Sequence, residues 1–317
     1  MPKHFSMTRL ATKTRCLLFT LLLPLALTGC TTYVNAPNGD LSGSARQPYD
    51  LDYRVVEDQT YTPPDWPQPL QADVYLPETH GEARRPAVMM VHGGGWEGRT
   101  RDDMTPIAER FVKRGYVVIN VSYRFAPEYR FPAQLNDLQV ARHWINDHAN
   151  EWRVDSKRIA GFGYSSGAHM VSLLALVAGT DSKLDSPYGG EDTGLAAVIS
   201  GGTPADLRLW DSGRLLIQLM NGTEAERPTA YAEASPIFHV HRDAPPFFLF
   251  HGNWDDLVPP EQAEKFMQAL ENDGNHVELL WMNGRGHITT FLFRGSAESA
   301  ALDFLAREMP DPDAAGQ

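Results

Sequence analysis

The pentapeptide Gly163-Tyr164-Ser165-Ser166-Gly167 constrains this chain more than any other stretch of it. An apolar run at residues 158–162 leads into it, and an apolar run with helical character at 169–178 leads away. Gly-x-Ser-x-Gly between a strand and a helix is the sequence form of a nucleophile elbow. The turn is so tight that a side chain two positions to either side of the serine would collide with the neighbouring strand or helix. It lifts the hydroxyl clear of the backbone, beside the positive end of the following helix. Of the two adjacent serines, only Ser165 has glycine at both of those positions.

The rest of the chain alternates strand and helix around that point. Residues 72–76 are expected as an edge strand, and 87–91, 117–122, 196–200, 247–250 and 277–281 as buried strands. Residues 104–114, 132–148, 261–271 and 296–307 read as helices, with Leu135, Leu138, Ala141 and Ile145 on one face of the second. Short continuous apolar strands separated by helices predict an α/β fold, with a mostly parallel central sheet covered on both faces. The catalytic domain is expected over residues 61–310, with 311–317 as a disordered tail. Residues 205–236 exceed a normal crossover and are expected as a small cap or lid insertion, in which Trp210, Leu215, Leu216, Ile217 and Leu219 form an amphipathic helix.

The N-terminus is a different kind of sequence. Lys3, Arg9, Lys13 and Arg15 stand without an acid before an apolar stretch at residues 16–27, too short to span a bilayer about 30 Å thick as a helix. Residues 1–29 therefore read as a secretory signal. Leu27-Thr28-Gly29-Cys30 resembles the lipobox of bacterial lipoproteins, in which the Cys is lipidated and becomes the new N-terminus. An ordinary signal cut after a small residue is the alternative. Thr31 rather than Asp after that Cys resembles outer-membrane sorting. Cys16 and Cys30 are the only cysteines, so a chain starting at Cys30 forms no internal disulfide. Residues 30–60 are expected as a flexible tether and an edge segment, the tether covering roughly 31–46.

Charge narrows the partners. The formal net charge is −12, and without the four basic signal residues Lys and Arg fall from 28 to 24 against 40 Asp and Glu, a charge of −16. No basic stripe is present to neutralise phosphates, which argues against nucleic acid. An acidic body is not drawn electrostatically to anionic lipid either, so membrane attachment has to come from acyl chains.

A serine hydroxyl becomes a strong nucleophile only when a base takes its proton, and that base needs an acid to hold its tautomer. After Ser165, residues 247–250 run into His251-Gly252-Asn253-Trp254-Asp255-Asp256, and the final strand runs into Gly284-Arg285-Gly286-His287. Asp255 is the candidate acid, with Asp256 its rival, and His287 is the candidate base in a loop before the last helix. All follow strand carboxyl ends, where open α/β sheets place their ligand crevice. Three glycines follow the first buried strand in Val91-His92-Gly93-Gly94-Gly95-Trp96. Bare N–H groups there can crowd a developing alkoxide, and Gly94, Gly95 and Ser166 are the candidate oxyanion donors. Gly161-Phe162-Gly163 lacks the spacing of a dinucleotide loop. His239 and His241 have no third ligand nearby and are expected as exposed histidines rather than a metal site.

These residues together resemble the esterase/lipase branch of the α/β-hydrolase superfamily, close to the hormone-sensitive-lipase-like family, over roughly residues 70–306. Tyr123-Arg124-Phe125-Ala126-Pro127-Glu128 and Phe131-Pro132-Ala133 are similar to a scaffold motif of that family. Two departures stand out. The elbow reads Gly-Tyr-Ser-Ser-Gly-Ala-His, and the acid loop is more like that of carbohydrate-ester esterases and arylformamidase-type enzymes. The resemblance implies a serine carboxylesterase for short- or medium-chain esters, needing neither metal nor organic cofactor. An arylformamidase-like amidase and a carbohydrate acetyl esterase are the enzymatic alternatives, and a surface lipoprotein that only binds is the non-enzymatic one.

Overall fold

The computed structural model describes residues 31–36, 50–79, 83–210 and 213–310. The expected signal at 1–29, Cys30, most of the expected tether and the tail at 311–317 lie outside the described residues. In chain order the strands and α-helices are β1 (Thr31–Val34), β2 (Tyr53–Thr60), β3 (Gln71–Pro77), β4 (Arg85–Val91), α1 (Thr105–Val112), β5 (Val117–Val121), α2 (Ala133–Asp147), β6 (Val154–Tyr164), α3 (Ser166–Val177) and β7 (Ala197–Gly201). They continue with α4 (Arg214–Met220), α5 (Pro228–Glu233), β8 (Phe247–Gly252), α6 (Glu261–Asn272), β9 (Val277–Met282), α7 (His287–Leu292) and α8 (Gly295–Glu308).

The nine strands of the described residues form one sheet in the order β1-β9-β8-β7-β6-β4-β5-β3-β2. From β5 to β9 every neighbouring pair is parallel, and the β1–β9, β3–β5 and β2–β3 pairs are antiparallel. Strands β4, β5, β7 and β8 are buried along their whole length and mostly apolar because helices cover both faces. In β4 the alternation is explicit. Ala87, Met89 and Val91 pack with α2, α3 and α6, while Val88 and Met90 pack with α1 and α8 on the other face. Fully burying side chains of this size stabilises by about 1.5–3 kcal/mol each. Helix α3 is buried on every side, which explains why its sequence carries no polar face.

Four expectations need correcting. Residues 72–76 are not at an edge, because β2 pairs outside β3 and takes that place. The elbow strand starts earlier, at Val154, and His287 is the first residue of a short helix rather than a loop residue. The start of the expected tether is also not free chain. Thr31 pairs with Met282 and Val34 with Leu279, adding β1 to the outer side of β9. The Tyr33 hydroxyl donates to Glu278, which is buried and also bound by Arg307 at 2.7 Å. Burial pushes the Tyr33 phenol well above its usual range, so it stays a donor.

The stretch expected as an insertion contains α4 and α5, and Leu215 of α4 lies against Gly95, just past the carboxyl end of β4. Leu216, Leu219 and Met220 are buried beneath α4, and the Phe131 amide donates to the Leu219 carbonyl at 3.1 Å. Trp210 lies outside that helix, packed on the core.

Candidate active site

Ser165 stands between β6 and α3 with φ 55° and ψ −123°, a conformation costly for a residue with a side chain. Its neighbours hold it there. The Ser165 amide donates to the Gly201 carbonyl at 2.8 Å, and its carbonyl accepts from His169 at 2.9 Å. A Cβ on Gly163 would lie 2.4 Å from the Gly167 carbonyl carbon, and one on Gly167 would lie 2.2 Å from the Val91 carbonyl oxygen. Both contacts are with backbone that cannot swing away. The close approach read from the sequence is thus physical on both sides of the turn.

Asp255 and His287 meet across two loops. His287 Nδ1 lies 2.6 Å from Asp255 Oδ2, and both side chains are buried. The other carboxylate oxygen accepts from the amides of Leu257 at 3.0 Å and Val258 at 2.8 Å. These contacts spend one oxygen on orientation and leave the other for the ring. His251 donates from Nε2 to the Val258 carbonyl at 2.8 Å, and burial lowers its pKa, so a neutral ring props the acid loop. Asp256 is exposed. With Nδ1–H engaged by Asp255, His287 keeps Nε2 as an acceptor.

The two halves of the site share the strand ends of β6 and β7. A Cβ on Gly202 would lie 3.0 Å from His287 Cε1, next to the Gly201 carbonyl that binds the Ser165 amide. Tyr164 supplies a further brace. Its hydroxyl donates to the His287 carbonyl at 2.6 Å, and its ring packs 5.0 Å from the His287 ring.

The glycine run faces the elbow from β4. Gly94 has φ 124° and Gly95 φ 62°, and a Cβ on Gly93 would lie 3.4 Å from Ser165 Cβ. Among the described residues, none accepts a hydrogen bond from the N–H groups of Gly94, Gly95 or Ser166. His92 sits beneath the run, stacked on Tyr123 at 4.4 Å and donating to the Gly93 carbonyl at 2.7 Å. Burial lowers its pKa to about 4. The Tyr123 hydroxyl donates to the His92 carbonyl at 3.1 Å. Arg124 turns away and binds buried Asp137, as expected of a scaffold motif.

Sequence reasoning missed His169. Trp96 of the glycine loop donates from Nε1 to its Nδ1 at 3.2 Å, and its Nε2–H donates to the Ala234 carbonyl of the insertion at 2.7 Å. Burial lowers its pKa to about 4, so the ring stays neutral with both nitrogens used. One side chain therefore ties the elbow helix, the glycine loop and the insertion together. A lone histidine inside an otherwise apolar helical run was the available signal, because a buried polar group needs partners. The insertion also touches the loop directly. Leu215 of α4 packs over Gly95, and Arg214 binds Glu97 at 2.5 Å. His239 and His241 are half-buried rather than exposed, with His239 Nε2 2.7 Å from the Glu233 carbonyl.

Known proteins resemble this chain in both sequence and shape. The sequence model of the BD-FAE family matches residues 72–270. Among relatives from Mycobacterium tuberculosis, "Probable carboxylic ester hydrolase LipM" is 32% identical over 58% of this chain and 44% of its own length. Esterase LipQ is 30% identical over 60% of this chain and 47% of its own length. The chain thus spans about half the length of these curated relatives. Thermogutta terrifontis esterase 2, in a form phosphoramylated by tabun, superposes with a TM-score of 0.67 at 26% identity, covering 80% of this chain and 94% of its own. A truncated carbohydrate esterase from gut microbiota gives 0.73 at 22% identity over 82% and 97%, a likeness of fold alone. With its mostly parallel sheet, flanking helices and serine elbow, the chain has the α/β-hydrolase fold and belongs to the BD-FAE family.

Proposed function

We propose that this chain is a serine carboxylesterase, with a small-molecule ester as its substrate. The observation that carries the reading is the strained Ser165 turn standing between the His287–Asp255 pair and three amides that find no acceptor among the described residues. Ser165 Oγ attacks the acyl carbon while His287 Nε2 takes its proton, and Asp255 stabilises the imidazolium through Nδ1. The carbonyl oxygen becomes an oxyanion held by the N–H groups of Gly94, Gly95 and Ser166, with the positive end of α3 behind the last. Collapse expels the alcohol, which leaves with the proton from His287, and water then releases the acid by the same steps. The esterase names of the relatives support the ester over the amide. The Leu215 side chain over Gly95 limits the room beside the oxyanion loop, which favours short or medium acyl chains.

Ser165→Ala is expected to lower p-nitrophenyl acetate turnover by about 10⁴-fold or more. It should also abolish labelling by a fluorophosphonate probe. Turnover unchanged in that variant would sink the proposal.

We propose further that Cys30 is lipidated and anchors the domain in a bacterial envelope, on the outer membrane. The support is the Leu-Thr-Gly-Cys sequence after a basic, apolar leader. Cys30→Ser is expected to move the protein from the membrane fraction to the soluble one, and continued membrane association would refute the anchor.

A further inference from the structure

The position of β1 sets where that anchor leaves the domain. Thr31 pairs with Met282, the last residue of β9, so the chain emerges at the carboxyl edge of the sheet. That is the edge whose loops carry Ser165, Asp255 and His287. Successive Cα atoms are about 3.8 Å apart, so Cys30 has a single peptide unit of slack before the sheet begins. Residues 37–49 connect β1 to β2 and add no reach between anchor and domain. The start of β1 is also wired to the site loops. The Asn283 amide donates to Thr32 Oγ1 at 3.0 Å, and Asn253 lies within 3.3 Å of Asn283 and accepts from the Gly284 amide at 2.7 Å.

The same loops expose an unusual amount of apolar surface. Trp254 is 72% exposed, and Leu257, Ile288, Leu292 and Phe293 are each more than half exposed. Trp254 and Leu257 flank Asp255, and the other three follow His287. The Trp254 amide donates to the Arg285 carbonyl at 3.0 Å, which joins the two loops into one rim. Ile288 and Leu292 stand one turn apart on α7 and share a face. Apolar rims of this kind on soluble domains mark a binding surface, and tryptophan in particular suits a membrane interface.

We infer that this rim rests on the lipid surface to which the chain is anchored, so that the site opens onto the bilayer and draws esters dissolved in it. The inference builds on the proposed anchor and esterase activity, and it adds an orientation and a substrate source. The occupant is a bilayer because the proposed lipid attachment lies one residue from the rim's edge of the sheet. The domain's charge of −16 without the leader makes the contact apolar rather than electrostatic, so raising salt should not release it.

The test uses Cys30-acylated protein carrying Ile288→Cys, whose free thiol takes a polarity-sensitive fluorophore, on phosphatidylcholine vesicles. Glu151→Cys serves as the comparison. Residue 151 is exposed in the turn before β6, at the amino edge of the sheet. Emission at 288 is expected to shift to the blue on vesicles while emission at 151 stays aqueous. A second arm separates the orientation from the anchor. Full mature chains carrying Cys30→Ser are held on nickel-chelating lipid by a histidine tag at either end. The C-terminal tag holds the opposite edge, because the Pro310 carbonyl accepts from Arg158 Nη1 low on β6. The N-terminal tag should reproduce the shift at 288, and the C-terminal tag should not. The N-tagged chain should also turn over a vesicle-embedded acetate ester of a long-chain alcohol several-fold faster than the C-tagged chain, with equal rates on soluble p-nitrophenyl acetate. A probe at 288 that stays aqueous in the N-tagged chain, or one at 151 that shifts equally, overturns the inference. So does a dimer that buries residue 288 without vesicles. If Cys30 proves unacylated yet the N-tagged chain shifts, the anchor falls and the lipid-facing surface stands. If Ser165→Ala keeps its activity, the esterase reading falls while the fluorescence result is untouched.

Discussion

At the scale of single residues, the proposed reacting groups were legible as candidates because each sits in a short pattern tied to a strand end. Ser165 came from the spacing of its glycines, and Asp255 and His287 came from chain order. The choice between Asp255 and Asp256 was not legible, since adjacent aspartates look alike until burial separates them. Asp255 is buried, with both oxygens engaged, and Asp256 faces solvent. Asp255→Asn is expected to lower kcat by about 10⁴-fold, because an amide no longer holds His287 in the tautomer that frees Nε2. Asp256→Asn should stay within a few-fold of the parent. Steady-state ester hydrolysis of the two variants checks this, and equal losses would reassign the acid. His169 escaped notice for the opposite reason, as it belongs to no pattern and matters only through the two partners that the fold brings to it.

At the scale of elements, the buried strands and long helices announced themselves by continuous or periodic apolar residues. Strands β1 and β2 did not, since an edge strand has one neighbour and keeps polar residues on its open side. Helix α7 is six residues long and starts at a glycine-flanked histidine, too short for a periodic signal. The packing of β6 against α3 carries its own prediction. A Cβ on Gly163 would lie 2.4 Å from Gly167 backbone, whereas one on Gly98 meets nothing within 4 Å. Gly163→Ala should therefore cost at least the roughly 1–3 kcal/mol of ordinary overpacking. At about 2–4 °C per kcal/mol for domains of roughly 150–250 residues, that is a clear loss of Tm, while Gly98→Ala should melt like the parent. Calorimetry on the pair tests it, and equal melting temperatures would mean that the elbow backbone yields.

At the scale of the whole molecule, the core holds several neutral histidines. Burial lowers the pKa of His92 and His169 to about 4 and also lowers that of His251. In the unfolded chain each titrates near 6.5. Between about pH 6.5 and pH 4 the unfolded state therefore binds more protons, and stability falls as the pH is lowered through that window. Each histidine contributes a slope of up to about 1.4 kcal/mol per pH unit. Urea midpoints should be level above about pH 7 and drop steadily below about pH 6. Midpoints independent of pH through this range would contradict the buried neutral state. The outermost strand bears on the molecule as a whole in another way. Without β1, the outer side of β9 would present a row of unpaired N–H and C=O groups, and Glu278 would lose its Tyr33 partner. Such an edge is a template for pairing with another chain, so a version trimmed past Val34 for solubility would be prone to aggregate through that edge.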